Sequence, residues 1–144
     1  MIATNHYLAG MAVAATLSNP LYVIPVAFAS HFVLDSLPHF GLKYSKNKGK
    51  IITGVAVADI VLLLLAAALI ASRYPGWFSV AGLVAISPDV AWIYRFVGRE
   101  KFGSLPPAPY NSFNKWHAGI QKFESPWGMI VEVGFLTALF ALLV

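Results

Sequence analysis

Apolar positions fall into five blocks, about 2–17, 20–37, 51–72, 77–97 and 126–144, separated by short breaks rich in Ser, Asn, Pro, Gly and Lys. A helix rises about 1.5 Å per residue, so a hydrocarbon core about 30 Å thick needs roughly 20 residues. The third, fourth and fifth blocks meet that length, whereas the first is short. Joined as one helix, the first two would run about 54 Å. Ser18-Asn19-Pro20 is a stop-and-restart signal between them, so the pattern predicts a tight helical hairpin. Pro25 and Pro88 sit inside blocks, and each removes a helical hydrogen bond. Pro88 immediately precedes Asp89, which places a freed carbonyl close to a carboxylate.

A different periodicity appears at about 111–123. Phe113, Trp116, Ile120 and Phe123 share one helical face, while Asn114, His117 and Gln121 take another. This predicts a helix lying in a membrane interface, after a stiff Gly-Ser-Leu-Pro-Pro-Ala-Pro stretch. The fold expected is all-α: a single polytopic membrane domain over residues 1–144, with about five transmembrane helices and one interfacial amphipathic helix.

Composition supports the bilayer as part of the solvent. The 144 residues are 58% hydrophobic and 11% charged, against about 45–50% and about 25% in ordinary soluble domains. Mean hydropathy is +0.70. These values exclude a disordered chain, a nucleic-acid-binding domain and a soluble globule of this size. There is no cysteine, so a metal site must use His, Asp and Glu. The N-terminal stretch carries no basic region of the signal-peptide kind, and no cleaved signal is expected.

Charge position informs more than the net +4. With five crossings, Lys43, Lys46, Lys48, Lys50, Arg95, Arg99, Lys101, Lys115 and Lys122 share one side, and Arg73 stands alone on the other. The positive-inside rule then predicts a multi-pass protein of the cell (inner) membrane with a cytoplasmic N-terminus and an outside C-terminus.

The ionisable residues inside apolar blocks need a reason, since a charge at mid-bilayer costs roughly 2.5–3.5 kcal/mol even on lenient scales. Asp59 is eight residues past Ile51, Asp89 eight before Val97, His31 eight before His39, and Glu132 six past Pro126. Those steps, roughly 9–12 Å along a helix, place the four groups at a similar level. His31 and Asp35 are four apart, on one helical face; His6 and His117 can cap the same region. Imidazole with carboxylate is a ligand set for Zn²⁺, or for Mn²⁺ or Fe²⁺. The metal candidates are His6, His31, Asp35, His39, Asp59, Asp89 and His117, for one or two divalent ions, with Zn²⁺ favoured. These residues and Glu132 also have structural alternatives: an N-terminal polar residue for His6, a helix cap for His39, an interfacial position for His117, a pair with Arg95 or Arg99 for Glu132, interhelical hydrogen bonding for His31 with Asp35, and salt bridging or a proton path for Asp59 and Asp89.

Asn5-His6-Tyr7-Leu8-Ala9-Gly10, Ser30-His31-Phe32-Val33-Leu34-Asp35 with Gly41, and Ser87-Pro88-Asp89 together resemble patches of the YdjM-like family of small inner-membrane metal-dependent hydrolases. The resemblance covers short patches over the first two-thirds of the chain and implies metal-dependent hydrolysis. Two ions roughly 3.5–4 Å apart are a common device for phosphoester cleavage. The expected function is therefore hydrolysis of a phosphoester or similar bond in a lipid or lipid-linked substrate at the cytoplasmic leaflet. Asp59 or Glu132 would serve as catalytic base. Lys43, Lys46, Arg95, Arg99, Asn114 and Lys115 would bind the anionic substrate, and the interfacial helix would act as a lid. Nucleic acid is not an expected partner, and an oligomer is compatible with the sequence. The rival readings are a metal-ion or proton transport protein and a non-catalytic membrane subunit.

Overall fold

The structure, a computed structural model, describes residues 1–42, 48–90 and 112–144. It is mostly helical, with six α-helices among the described residues: α1 (Ala3–Leu17), α2 (Pro20–Asp35), α3 (Lys48–Ala71), α4 (Gly76–Ile86), α5 (Ser112–Ile120) and α6 (Gly128–Leu143). A 3₁₀ turn, Ser87–Asp89, follows α4. Two short strands, β1 (His39–Phe40) and β2 (Glu124–Ser125), pair in parallel.

The predicted hairpin forms at Ser18-Asn19-Pro20. Ser18 ends α1 in the left-handed region (φ 58°), and its N–H donates to the Ala14 carbonyl. Asn19 then caps α2 through its side-chain oxygen, which accepts from the Leu21 N–H at 3.0 Å. Pro20 occupies the first helical position, where its missing N–H costs nothing.

The short α1 is the centre of the bundle. At 15 residues it is about 22 Å long; Thr4 through Ala12 are buried, and α2, α3, α4 and α6 all pack against it. Its closest crossing is with α4. A Cβ on Gly10 would run into the Ala81 backbone and the Ala85 side chain, so only glycine permits this approach. The core holds Tyr7, Leu8, Met11, Val23, Ile70 and Phe78.

Outward faces are apolar. Leu21, Val33, Leu64, Leu65, Leu69, Ile130 and Leu142 are all exposed. Among the described residues one helix, over Gly49–Ala71, is long and apolar enough to cross a membrane, with a mean hydropathy of 2.6 in its most apolar window. Only 11% of that window is buried inside the chain, unlike the core helix of a soluble domain. Helices α2 and α6 are apolar but shorter.

The strand pair was not anticipated, since two residues per strand are too few for an alternation signal. It joins His39 to Glu124 and Phe40 to Ser125, and Gly41 N–H extends it to the Ser125 carbonyl at 3.1 Å. Gly128 lies so close beneath His39 that any Cβ would collide with the His39 carbonyl. This ladder ties the exit of α2 to the segment that follows α5. The ends of the helices carrying Asp35 and His117 are thereby fastened together.

Candidate metal centre

Pro88 explains one corner of the site. At 3₁₀ spacing the donor to the Ala85 carbonyl would be residue 88, and proline has no N–H. The His31 side chain from α2 fills that vacancy: its Nδ1 lies 2.8 Å from the Ala85 oxygen. A carbonyl only accepts, so Nδ1 carries the hydrogen, and in the neutral ring Nε2 presents its lone pair. The i,i+4 spacing predicted for His31 and Asp35 brings that Nε2 to 3.2 Å from Asp35 Oδ2.

Helix α5 supplies the third member. Phe32, next to His31, packs against Trp116 at a tilt (4.8 Å between ring centroids) and edge-on against His117 (5.4 Å). This seats α5 on α2 with Trp116 outward and His117 buried. His117 Nε2 is 2.9 Å from Asp35 Oδ2 and 3.1 Å from His31 Nε2. Asp89 completes the group, with Oδ1 at 3.6 Å from His31 Nε2. Ligand atoms of His31, Asp35, Asp89 and His117 all lie within 4.8 Å of one another. The Asp89 side chain is 29% exposed, whereas those of His31, Asp35 and His117 are fully buried.

These separations fit a cation. Zinc bonds of about 2.0–2.1 Å in a tetrahedron give ligand-to-ligand edges of about 3.3 Å. The observed 2.9, 3.1, 3.2 and 3.6 Å straddle that value. His31 Nε2, His117 Nε2 and Asp35 Oδ2 crowd together, and the repulsion among their lone pairs is relieved by a proton or a metal ion held between them. Nδ1 held by a backbone carbonyl is also the usual outer contact of a metal-bound histidine. Gln121 supports the group from α5's C-terminal end, donating to Asp35 Oδ2 at 2.8 Å. The periodicity of residues 111–123 puts Gln121 on the His117 face, and the structure gives it this role.

His6 stacks on His31, with centroids 4.0 Å apart and planes at 22°. Its Nε2 is 3.2 Å from Asp35 Oδ1. Neither ring nitrogen of this buried residue makes a hydrogen bond among the described residues, and buried Asn5 Oδ1 lacks one as well. The amine of Met1 also bonds Asp35 Oδ1.

Asp59 and Glu132 do different work. Helix α1 begins after Ile2, which has no side chain able to cap it, and its first turn carries no acid. The orphan N–H groups are instead satisfied from other helices. Asp59 of α3 accepts from Ala3 N–H at 2.7 Å, Thr4 N–H at 3.1 Å and the Thr4 hydroxyl at 2.5 Å. Glu132 of α6 accepts from Ile2 N–H at 3.1 Å and from the Asn5 amide at 2.8 Å. Both carboxylates sit at the positive end of the α1 dipole. Thr4 and Asn5 were not singled out from the sequence; the signal available was a helix start lacking any capping residue.

His39 stands apart from the four-residue group. Its Nδ1 donates to the Leu37 carbonyl at 2.8 Å, and Nε2 is 3.9 Å from Glu124 Oε1. Lys115 is exposed on α5. The expectations on Lys43, Lys46, Arg95, Arg99 and the Asn114 side chain, and on the last turns of the fourth block, lie outside the described residues. Comparison with family models, curated proteins and solved structures found no match.

Proposed function

We propose that the chain is a multi-pass inner-membrane protein whose His31, Asp35, Asp89 and His117 hold a divalent cation. On this reading it hydrolyses a phosphoester or similar bond of a lipid or lipid-linked substrate at the cytoplasmic leaflet. The observation that carries the reading is the convergence of two imidazole Nε2 atoms and a carboxylate oxygen at 2.9–3.2 Å, with the His31 tautomer set by Ala85. The resemblance of three motif patches to metal-dependent hydrolases points the same way. Exposed apolar faces on α2, α3 and α6 support the membrane. Nine of ten basic residues on one side of the five-block pattern support the orientation.

Zn²⁺ suits the two imidazoles, and two carboxylates also admit Mn²⁺ or Fe²⁺. Such an ion supplies Lewis acidity, polarising a phosphoryl oxygen and acidifying water. The chain's own part is to hold the donors rigidly: the β1–β2 ladder, the Phe32–Trp116 contact and Gln121 all fix Asp35 against His117. Asp89, the partly exposed donor, is the edge at which a substrate oxygen meets the centre. Asp59 and Glu132, bonded to the start of α1, are assigned to holding that helix in place. Lys115 and the other basic residues of that side draw the anionic headgroup, and α5 covers the centre.

A proton shared among His31 Nε2, His117 Nε2 and Asp35 Oδ2 would relieve the same repulsion, which makes proton or metal-ion transport the second reading. Proteoliposomes containing a phosphate-bearing lipid separate the two. Release of phosphate that a chelator abolishes and added metal restores supports the hydrolase. Ion or proton uptake without hydrolysis supports transport. Purified chain that carries no metal and binds none would overturn the metal reading, and labelling of Lys43–Lys50 from outside intact cells would overturn the orientation.

A further inference from the structure

His6 is the buried group that the four-residue centre leaves unused. It lies fully inside the protein with both ring nitrogens lacking hydrogen bonds among the described residues. Buried polar atoms are otherwise almost always hydrogen-bonded, so an imidazole at the wall of a ligand cluster whose Nε2 has only a 3.2 Å approach to Asp35 Oδ1, without a hydrogen bond on either nitrogen among the described residues, has room for a further partner. Its position relative to Asp35 indicates which. Asp35 offers its two oxygens to two different sets of groups: Oδ2 faces His31, His117 and Gln121, and Oδ1 faces His6. The two imidazoles that flank the carboxylate are stacked at 4.0 Å with planes at 22°, and their Nε2 atoms lie 3.2 Å from different oxygens of it.

We infer that the centre takes two divalent cations, with Asp35 bridging them: one among His31, His117, Asp89 and Asp35 Oδ2, the other between His6 Nε2 and Asp35 Oδ1. This rests on the metal reading above and deepens it. A carboxylate with a different imidazole Nε2 at 3.2 Å from each of its oxygens has the donor arrangement of a bridging ligand, and two-metal centres that act on phosphate esters hold their ions roughly 3.5–4 Å apart. The second ion has only two donors from the chain among these residues, so it binds more weakly and keeps positions open to oxygens of a bridging phosphate. The Met1 amine, bonded to the same Oδ1, marks that oxygen as one that already draws a cationic group, which the ion would displace.

Titration of the full-length, detergent-solubilised chain with Mn²⁺, followed by electron paramagnetic resonance, tests this directly. Wild type is expected to bind two Mn²⁺ per chain, the second more weakly, with a spin-coupled spectrum at full loading. Inorganic phosphate is expected to tighten the second ion. His6→Ala is expected to bind one Mn²⁺ with an uncoupled spectrum, and His6→Gln, which keeps a polar side chain for folding, the same. A wild type that binds one Mn²⁺, or a His6→Ala chain that still binds two, would overturn the second site while leaving the first intact. A wild type that binds none would overturn both.

Discussion

Asp35 and Asp59 are both aspartates on apolar helices, and both lie beside the start of α1, yet they meet different partners. Asp35 faces three imidazoles and an amide, groups that can yield to a metal ion. Asp59 faces two backbone N–H groups and a hydroxyl, donors that belong to the helix and stay with it. Glu132 follows Asp59, and Asp89 follows Asp35. All four are carboxylates within apolar blocks, so function is decided by what stands opposite. Asp35, which also takes the Gln121 amide and the Met1 amine, sits among three imidazoles whose ring nitrogens can bind a cation, whereas Asp59 is satisfied by donors of α1 alone.

The largest expected effect separates the pairs outright. Asp35→Ala should abolish binding of metal by the folded chain, exceeding the roughly 10–100-fold loss typical of an outer contact, as read by metal content after purification and by titration. Asp59→Asn and Glu132→Gln should each lower stability by about 1–3 kcal/mol through lost charge-assisted hydrogen bonds. Thermal unfolding in detergent would show it, with metal stoichiometry unchanged. Gln121→Leu tests the boundary between the regions: metal stays bound, but affinity should fall roughly 10-fold, as for an outer-shell partner. Asn19→Ala lies far from both and should cost about 1 kcal/mol of stability as a lost helix cap, with metal affinity unmoved.

Much of this arrangement is legible in the chain. Ser18-Asn19-Pro20 marks the hairpin, the four-residue step aligns His31 with Asp35, and the periodicity of residues 111–123 puts His117 and Gln121 on one face. Pro88 signals a carbonyl without a helical partner, and the structure supplies that partner as His31. These are local signals, carried within one element. Which carboxylate meets which donor depends instead on the order of helices around α1, and Asp59 and Glu132 reach it from 55 and 130 residues away. The sequence gathers eight ionisable residues into one region, which the structure divides into a four-residue group that could hold a metal ion, His6 stacked on it, a pair of carboxylates at the start of α1, and His39 beside Glu124. The lack of a capping side chain at Ile2 was the one sequence feature that pointed to the division.

Side-by-side metal titration of wild type, Asp35→Ala and Asp59→Asn, each shown to be folded by its helical circular dichroism, tests the central claim most directly. The account predicts that wild type and Asp59→Asn bind Zn²⁺ or Mn²⁺ with the same stoichiometry while Asp35→Ala binds none. Loss of metal from folded Asp59→Asn, or its retention by Asp35→Ala, would contradict it.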